Sequence, residues 1–257
     1  MKMQNLRDGN YYACKQMKQH FESIEQVNNL REIQALRCLN PHPNILTLHE
    51  VVFDRKSGSL ALICELMDMN IYELIRGILV TIFGCFLDCT GRRHPLSEKK
   101  IALYMYQLCK SLDHMHSVYS KQPYTEYIST RWYRAPECLL TDGCYGFKMD
   151  LWSAGCVLYE MASLQPLFPG ANELDQISRI HDVMGSPPEK TLTKFKQSRA
   201  MSFDFPFKKG SGIPLLTTSL SPQCLSLLHA MVAYDPDERV TAHQALQHPY
   251  FQEQRWA

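Results

Sequence analysis

Short apolar runs separated by turn-forming clusters dominate the chain up to about residue 67, and apolar residues recur every three or four positions beyond it. The opening predicts a hairpin: Lys2 to Leu6, a turn at Arg7-Asp8-Gly9-Asn10, then Tyr11 to Met17, with Asp-Gly able to take the positive φ a tight turn needs. Ile24, Val27, Leu30, Ile33, Ala35 and Leu36 fall mostly on one helical face. They predict one helix from about Ser23 to Leu39, stopped by Asn40-Pro41-His42-Pro43 because proline restricts the residue before it. Ile45 to Phe53 and Leu60 to Leu66 read as two strands around the turn Asp54-Arg55-Lys56-Ser57-Gly58.

Past Met67 the period is helical. Ile101, Tyr104, Leu108, Leu112 and Met115 mark one helix with Ser97-Glu98 as cap-like residues near its start. Further helices are predicted over Met149 to Leu164, Glu173 to Met184, Pro222 to Val232 and Ala242 to Leu246. Strands and one helix followed by helices alone predict an α+β chain of two lobes, 1–67 and 68–257. One stretch fits neither period: Ile78 to Cys89 (ILVTIFGCFLDC) is almost wholly apolar. Its apolar core is about ten residues, where a bilayer needs roughly 20. A buried strand or inserted loop, and a segment spliced in from elsewhere over 78–91, both remain open.

Composition narrows the class. In 257 residues, 45% hydrophobic and 21% charged side chains describe a globular chain large enough for one big domain or two lobes. Lys plus Arg number 27 and Asp plus Glu 26, a net charge of +1, so no global field draws it to nucleic acid or an anionic membrane. The ten cysteines form no CxxC pair and read as reduced thiols rather than a zinc site or disulfide framework. The N-terminal residues MKMQNLRDGN carry no signal-peptide pattern, and a cytoplasmic or nuclear location is expected.

Tyr12-Ala13-Cys14-Lys15 resembles the V-A-I-K strand of protein kinases, and Leu30-Arg31-Glu32-Ile33 lies where those kinases place the glutamate that pairs with the strand lysine. The most specific stretch is Thr125-Glu126-Tyr127-Ile128-Ser129-Thr130-Arg131-Trp132-Tyr133-Arg134-Ala135-Pro136-Glu137. It resembles an activation segment of the MAP-kinase-like Ser/Thr protein kinases running into the A-P-E motif. Asp150-Leu151-Trp152-Ser153-Ala154-Gly155-Cys156 is similar to the family's buried helical anchor in the C-terminal lobe. Asp235-Pro236-Asp237-Glu238-Arg239 and His248-Pro249-Tyr250-Phe251 are similar to the end of that lobe.

The resemblance implies a two-lobed kinase fold that uses ATP and Mg2+ to phosphorylate protein Ser/Thr. It implies Lys15 and Glu32 at the nucleotide phosphates, Cys64 as gatekeeper, and the backbone of Glu65 and Met67 as the adenine-binding hinge. Thr125 and Tyr127 would be the phosphorylated pair, Arg131 and Arg134 would receive phosphate on Tyr127, and Arg31 would receive part of that on Thr125. Glu137 would pair with Arg239, and Asp150 would be structural.

Against this, several parts of the machinery are missing from the text. Phosphoryl transfer relies on a Gly-rich lid, a catalytic-loop Asp, and an Asn plus the D-F-G Asp holding magnesium. The chain opens after the place of the lid, which implies an incomplete N-terminal sheet, and neither H-R-D-x-x-x-x-N nor D-F-G occurs. The helix is expected to end at His114-Met115-His116, with Ser117 already activation loop and the catalytic and magnesium block absent after His116. Asp113 and His114 fall in the predicted helix and Asp88 in the apolar stretch, so none has the required loop context. Weak or no binding of ATP and Mg2+ is therefore expected, and no metal-ligating residue is assigned. An active Ser/Thr kinase, a pseudokinase that binds protein partners, and an unstable fragment all remain open.

Overall fold

The computed structural model describes residues 1–76, 96–119, 130–141, 146–196, 205–214 and 220–256. They form two compact units, Met1–Leu74 and Ile75–Ala257. The apolar stretch 78–89 and both Thr125 and Tyr127 lie outside the described residues.

The N-terminal unit is an antiparallel sheet of β1 (Lys2–Gln4), β2 (Tyr11–Gln16), β3 (Leu48–Asp54) and β4 (Ser59–Cys64), ordered β1-β2-β4-β3. The first strand is shorter than the pattern predicts because Asn5 turns back early: its carbonyl accepts from Gly9 N–H at 2.8 Å, and Gly9 sits at φ 73°. Alternation along β4 buries Leu60, Leu62 and Cys64, which pack with Phe21, Val27 and Ile33 into one small core.

The expected single helix is two, α1 (Ile24–Asn28) and α2 (Arg31–Leu39), because Leu30 adopts extended backbone (ψ 123°) between them. Val27 and Ile33 are both fully buried. In one straight helix they would point about 120° apart. The break lets both reach the same core. A short helix, α3 (Ile71–Arg76), which the periodicity does not announce, carries the chain out of this unit.

The C-terminal unit contains α4 (Glu98–Val118), α5 (Pro136–Leu140), α6 (Lys148–Ser163), α7 (Glu173–Met184), α8 (Glu189–Lys196), α9 (Pro222–Met231) and α10 (Ala242–Leu246). Helix α6 is apolar nearly all round and is the hub of the core, as expected of a helix surrounded by others. Trp152 stacks on Phe168 with centroids 5.3 Å apart. A Cβ on Gly155 would lie 2.6 Å from Val232 Cγ1, so α6 and α9 approach closely only because this position is glycine. Helix α4 runs two residues past the expected end at His116. Ser117 is helical and donates to the His114 carbonyl at 2.7 Å, so it does not begin a loop.

Candidate functional site

In the N-terminal unit, β2 places Lys15 opposite Leu62 of β4, on the sheet face that also carries Cys64. Glu32 comes from the first turn of α2, and its Oε1 meets Lys15 Nζ at 2.5 Å. The pair is substantially exposed, 59% for Lys15 and 39% for Glu32. Exposed ion pairs contribute only about 0–1 kcal/mol. What the contact supplies is an oriented ammonium. Cys64 is buried beside them; burial first, then the Glu32 charge, pushes its thiol pKa up, which disfavours thiolate chemistry.

Directly after β4, Glu65 donates its backbone N–H to the Thr47 carbonyl at 3.1 Å and accepts from Thr47 N–H through Oε1 at 2.8 Å. This double contact anchors the start of the stretch that leaves the sheet. Met67 follows it, 56% exposed. Arg31 opens α2 and is exposed.

In the C-terminal unit the central feature is buried. Arg239 Nη1 and Nη2 donate to Glu137 Oε1 and Oε2 at 2.6 and 3.0 Å, with both side chains at most 2% exposed. Nε donates to the Ala233 carbonyl at 3.0 Å, Nη1 also to the Lys148 carbonyl at 2.9 Å, and the guanidinium lies 5.2 Å from the Trp152 ring centroid. A buried arginine thus has its donors matched, the condition under which such a pair is tolerated.

Arg131 donates to the Ala171 carbonyl and Arg134 to Glu173 Oε1, each at 2.8 Å. Trp132 donates its indole N–H to the Gly170 carbonyl at 2.9 Å. Three successive contacts therefore dock the turn 131–134 against the segment that enters α7. Asp150, in the first turn of α6, is not buried but 34% exposed; its Oδ2 lies 2.9 Å from His116 Nε2. His116 also stacks on Phe147 at 4.8 Å. Sequence reasoning overlooked this partnership, and only the position of His116 in the last turn of an amphipathic helix hinted at it.

Asp113 is helical and lies 3.6 Å from His243 Nδ1, a geometry for surface pairing rather than for accepting a substrate proton. Among the described residues no group of three His, Cys, Asp or Glu side chains could hold a metal ion, and no helix is long and apolar enough to cross a membrane.

The protein kinase domain family matches residues 1–119 and 117–251, two stretches that meet at Ser117–Tyr119. The MAPK/MAK/MRK overlapping kinase of Mus musculus is 77% identical over 287 residues, covering 100% of this chain and 65% of the relative. The Homo sapiens protein of that name is 76% identical over 285 residues, with 99% and 65% covered. The Homo sapiens serine/threonine-protein kinase MAK is 36% identical over 262 residues, with 95% and 42% covered. The chain therefore spans less than two thirds of the length of these relatives.

Proposed function

The chain belongs to the Ser/Thr protein kinase family, and on that premise we propose that it is a kinase-fold protein without effective phosphoryl transfer, a pseudokinase acting through protein partners in the cytosol or nucleus. The observation that carries this reading lies at the end of α4. There the family match breaks into two stretches meeting at 117–119, and the text holds no H-R-D and no D-F-G. The alignment to the mouse relative runs over 287 positions against 257 residues here, a difference of 30, as a chain lacking a block requires.

The chemistry follows from what is left. Lys15, oriented by Glu32, would hold phosphate oxygens of ATP. Because the Glu65 N–H is taken by Thr47, its carbonyl and the Met67 N–H are the hinge groups left for an adenine edge. ATP and Mg2+ supply the transferable phosphoryl group and its charge neutralisation in the family. Here no motif Asp or Asn remains to hold the metal or to take the hydroxyl proton. A general base contributes about 10²–10⁴-fold, and its loss together with the metal ligands leaves positioning by Lys15 alone.

A persistent fold is supported over an unstable fragment by two features. Both units have their own buried clusters. Of the two edge strands, β1 is only three residues long and carries Lys2, and the longer β3 carries Glu50 beside a register irregularity, features that blunt edge-to-edge pairing. The test is ligand-induced thermal stabilisation. Any shift with ATP should be weak and unchanged by Mg2+; a saturable, Mg2+-requiring shift at micromolar ATP would overturn the reading.

A further inference from the structure

A cavity of about 470 Å3 opens in the C-terminal unit where the last turns of α4 meet the starts of α6 and α10. Its size falls within the range of small-molecule sites, roughly 300–1,000 Å3. Phe147, Leu151, Pro236 and Ala242 supply the apolar part of the lining. The charged part is uneven. Lys148 contributes the one lining ammonium among the described residues, and it is turned toward the Asp237 backbone carbonyl at 3.2 Å. The Asp237 carboxylate is bridged by Lys194 at 2.6 Å.

Asp113 is different. Its nearest described side-chain partner is His243, 3.6 Å away and 72% exposed, beyond good hydrogen-bonding distance, and the Asp113 side chain is itself 38% exposed. His116 of the lining is engaged with a further carboxylate, Asp150. The lining thus joins an aromatic and aliphatic surface to one half-exposed carboxylate that a bound ammonium could contact more closely than His243 does. That is the complement of a flat aromatic group bearing a protonated amine on a short linker.

We propose that this cavity between α4, α6 and α10 is a binding site for an arylalkylamine, with Asp113 receiving the ammonium and Phe147 and Leu151 contacting the ring. The site lies within the C-terminal unit and does not depend on nucleotide binding or on the absence of catalysis.

The experiment is a backbone amide NMR titration of the full chain with 2-(1-naphthyl)ethylamine, and in parallel with 3-(1-naphthyl)propionate, which presents a similar ring and the opposite charge. The amine should give saturable shifts at Asp113, His116, Lys148, Leu151 and His243, with affinity about tenfold above that of the carboxylate. Asp113→Asn should weaken amine binding about fivefold and strengthen binding of the carboxylate, so that the preference between the two probes narrows. Equal affinities for the two probes, shifts centred elsewhere, or no saturation by the amine would overturn the proposal. The comparison of probes on the unmodified protein decides it even if the variant folds poorly.

Discussion

His116 Nε2, in the last turn of α4, lies 2.9 Å from Asp150 Oδ2 in the first turn of α6, and the same imidazole stacks on Phe147. These residues are 34 positions apart, so the contact ties the helix that ends where the family match breaks to the central helix of the unit. A double-mutant cycle of His116→Ala and Asp150→Asn should give a coupling of about 1 kcal/mol in urea unfolding. Strict additivity would show that the two helices are held by packing alone.

Glu137 and Arg239 should be the most sensitive pair in the chain. Glu137→Ala leaves a buried guanidinium whose other hydrogen-bond partners are carbonyls, and the expected cost is about 3–5 kcal/mol. The readout is the urea midpoint at constant slope. A loss below about 1 kcal/mol would mean that water or a rearranged carbonyl replaces the carboxylate.

His181 predicts the acid limb of stability. It is buried, with Nε2 2.9 Å from the Tyr234 hydroxyl, and desolvation, helped by the Lys208 charge, pulls its pKa from 6.5 down to about 4. The unfolded chain takes up a proton near pH 6.5 that the folded chain resists until about pH 4. Stability is therefore full above about 6.5 and falls through that window as pH drops, by about 3 kcal/mol in all. His181→Gln should flatten the fall between pH 6.5 and 4; an unchanged acid limb would contradict the assignment.

Phosphate on Tyr127 is predicted to protect Ile128 to Ala135 from limited proteolysis, while phosphate on Thr125 does little. Phosphate orders a segment where arginines can meet it. Arg131 and Arg134 are already ordered by Ala171 and Glu173, so a phosphotyrosine would compete with Glu173 for Arg134. Glu173→Gln should then raise the protection given by phospho-Tyr127. Stronger protection from phospho-Thr125 would refute the scheme.

Helices with strong local punctuation were legible from sequence. Ala242–Leu246 has the expected bounds because Thr241 and Gln244 form a reciprocal capping box, and Glu173–Met184 starts where the Asn172 side chain accepts from Asp175 N–H. Elements set by tertiary packing were not. The break at Leu30 has no capping side chain and exists because Val27 and Ile33 share one core. Helices α3, α5 and α8, at six, five and eight residues, are too short to show a period. Of the candidate site, Lys15 and Glu32 could be paired only through their resemblance to the kinase strand lysine and its helix glutamate. The partners of Asp150, Arg131 and Arg134 depend on contacts 34 to 40 residues away, to which local pattern is blind.

The proposed lack of phosphoryl transfer by this kinase-family chain is read out by incorporation of label from γ-labelled ATP with Mg2+ into a generic basic protein substrate. Incorporation should be no higher than that of the Lys15→Met protein purified in parallel. Label transfer that persists through further purification and disappears in Lys15→Met would contradict it.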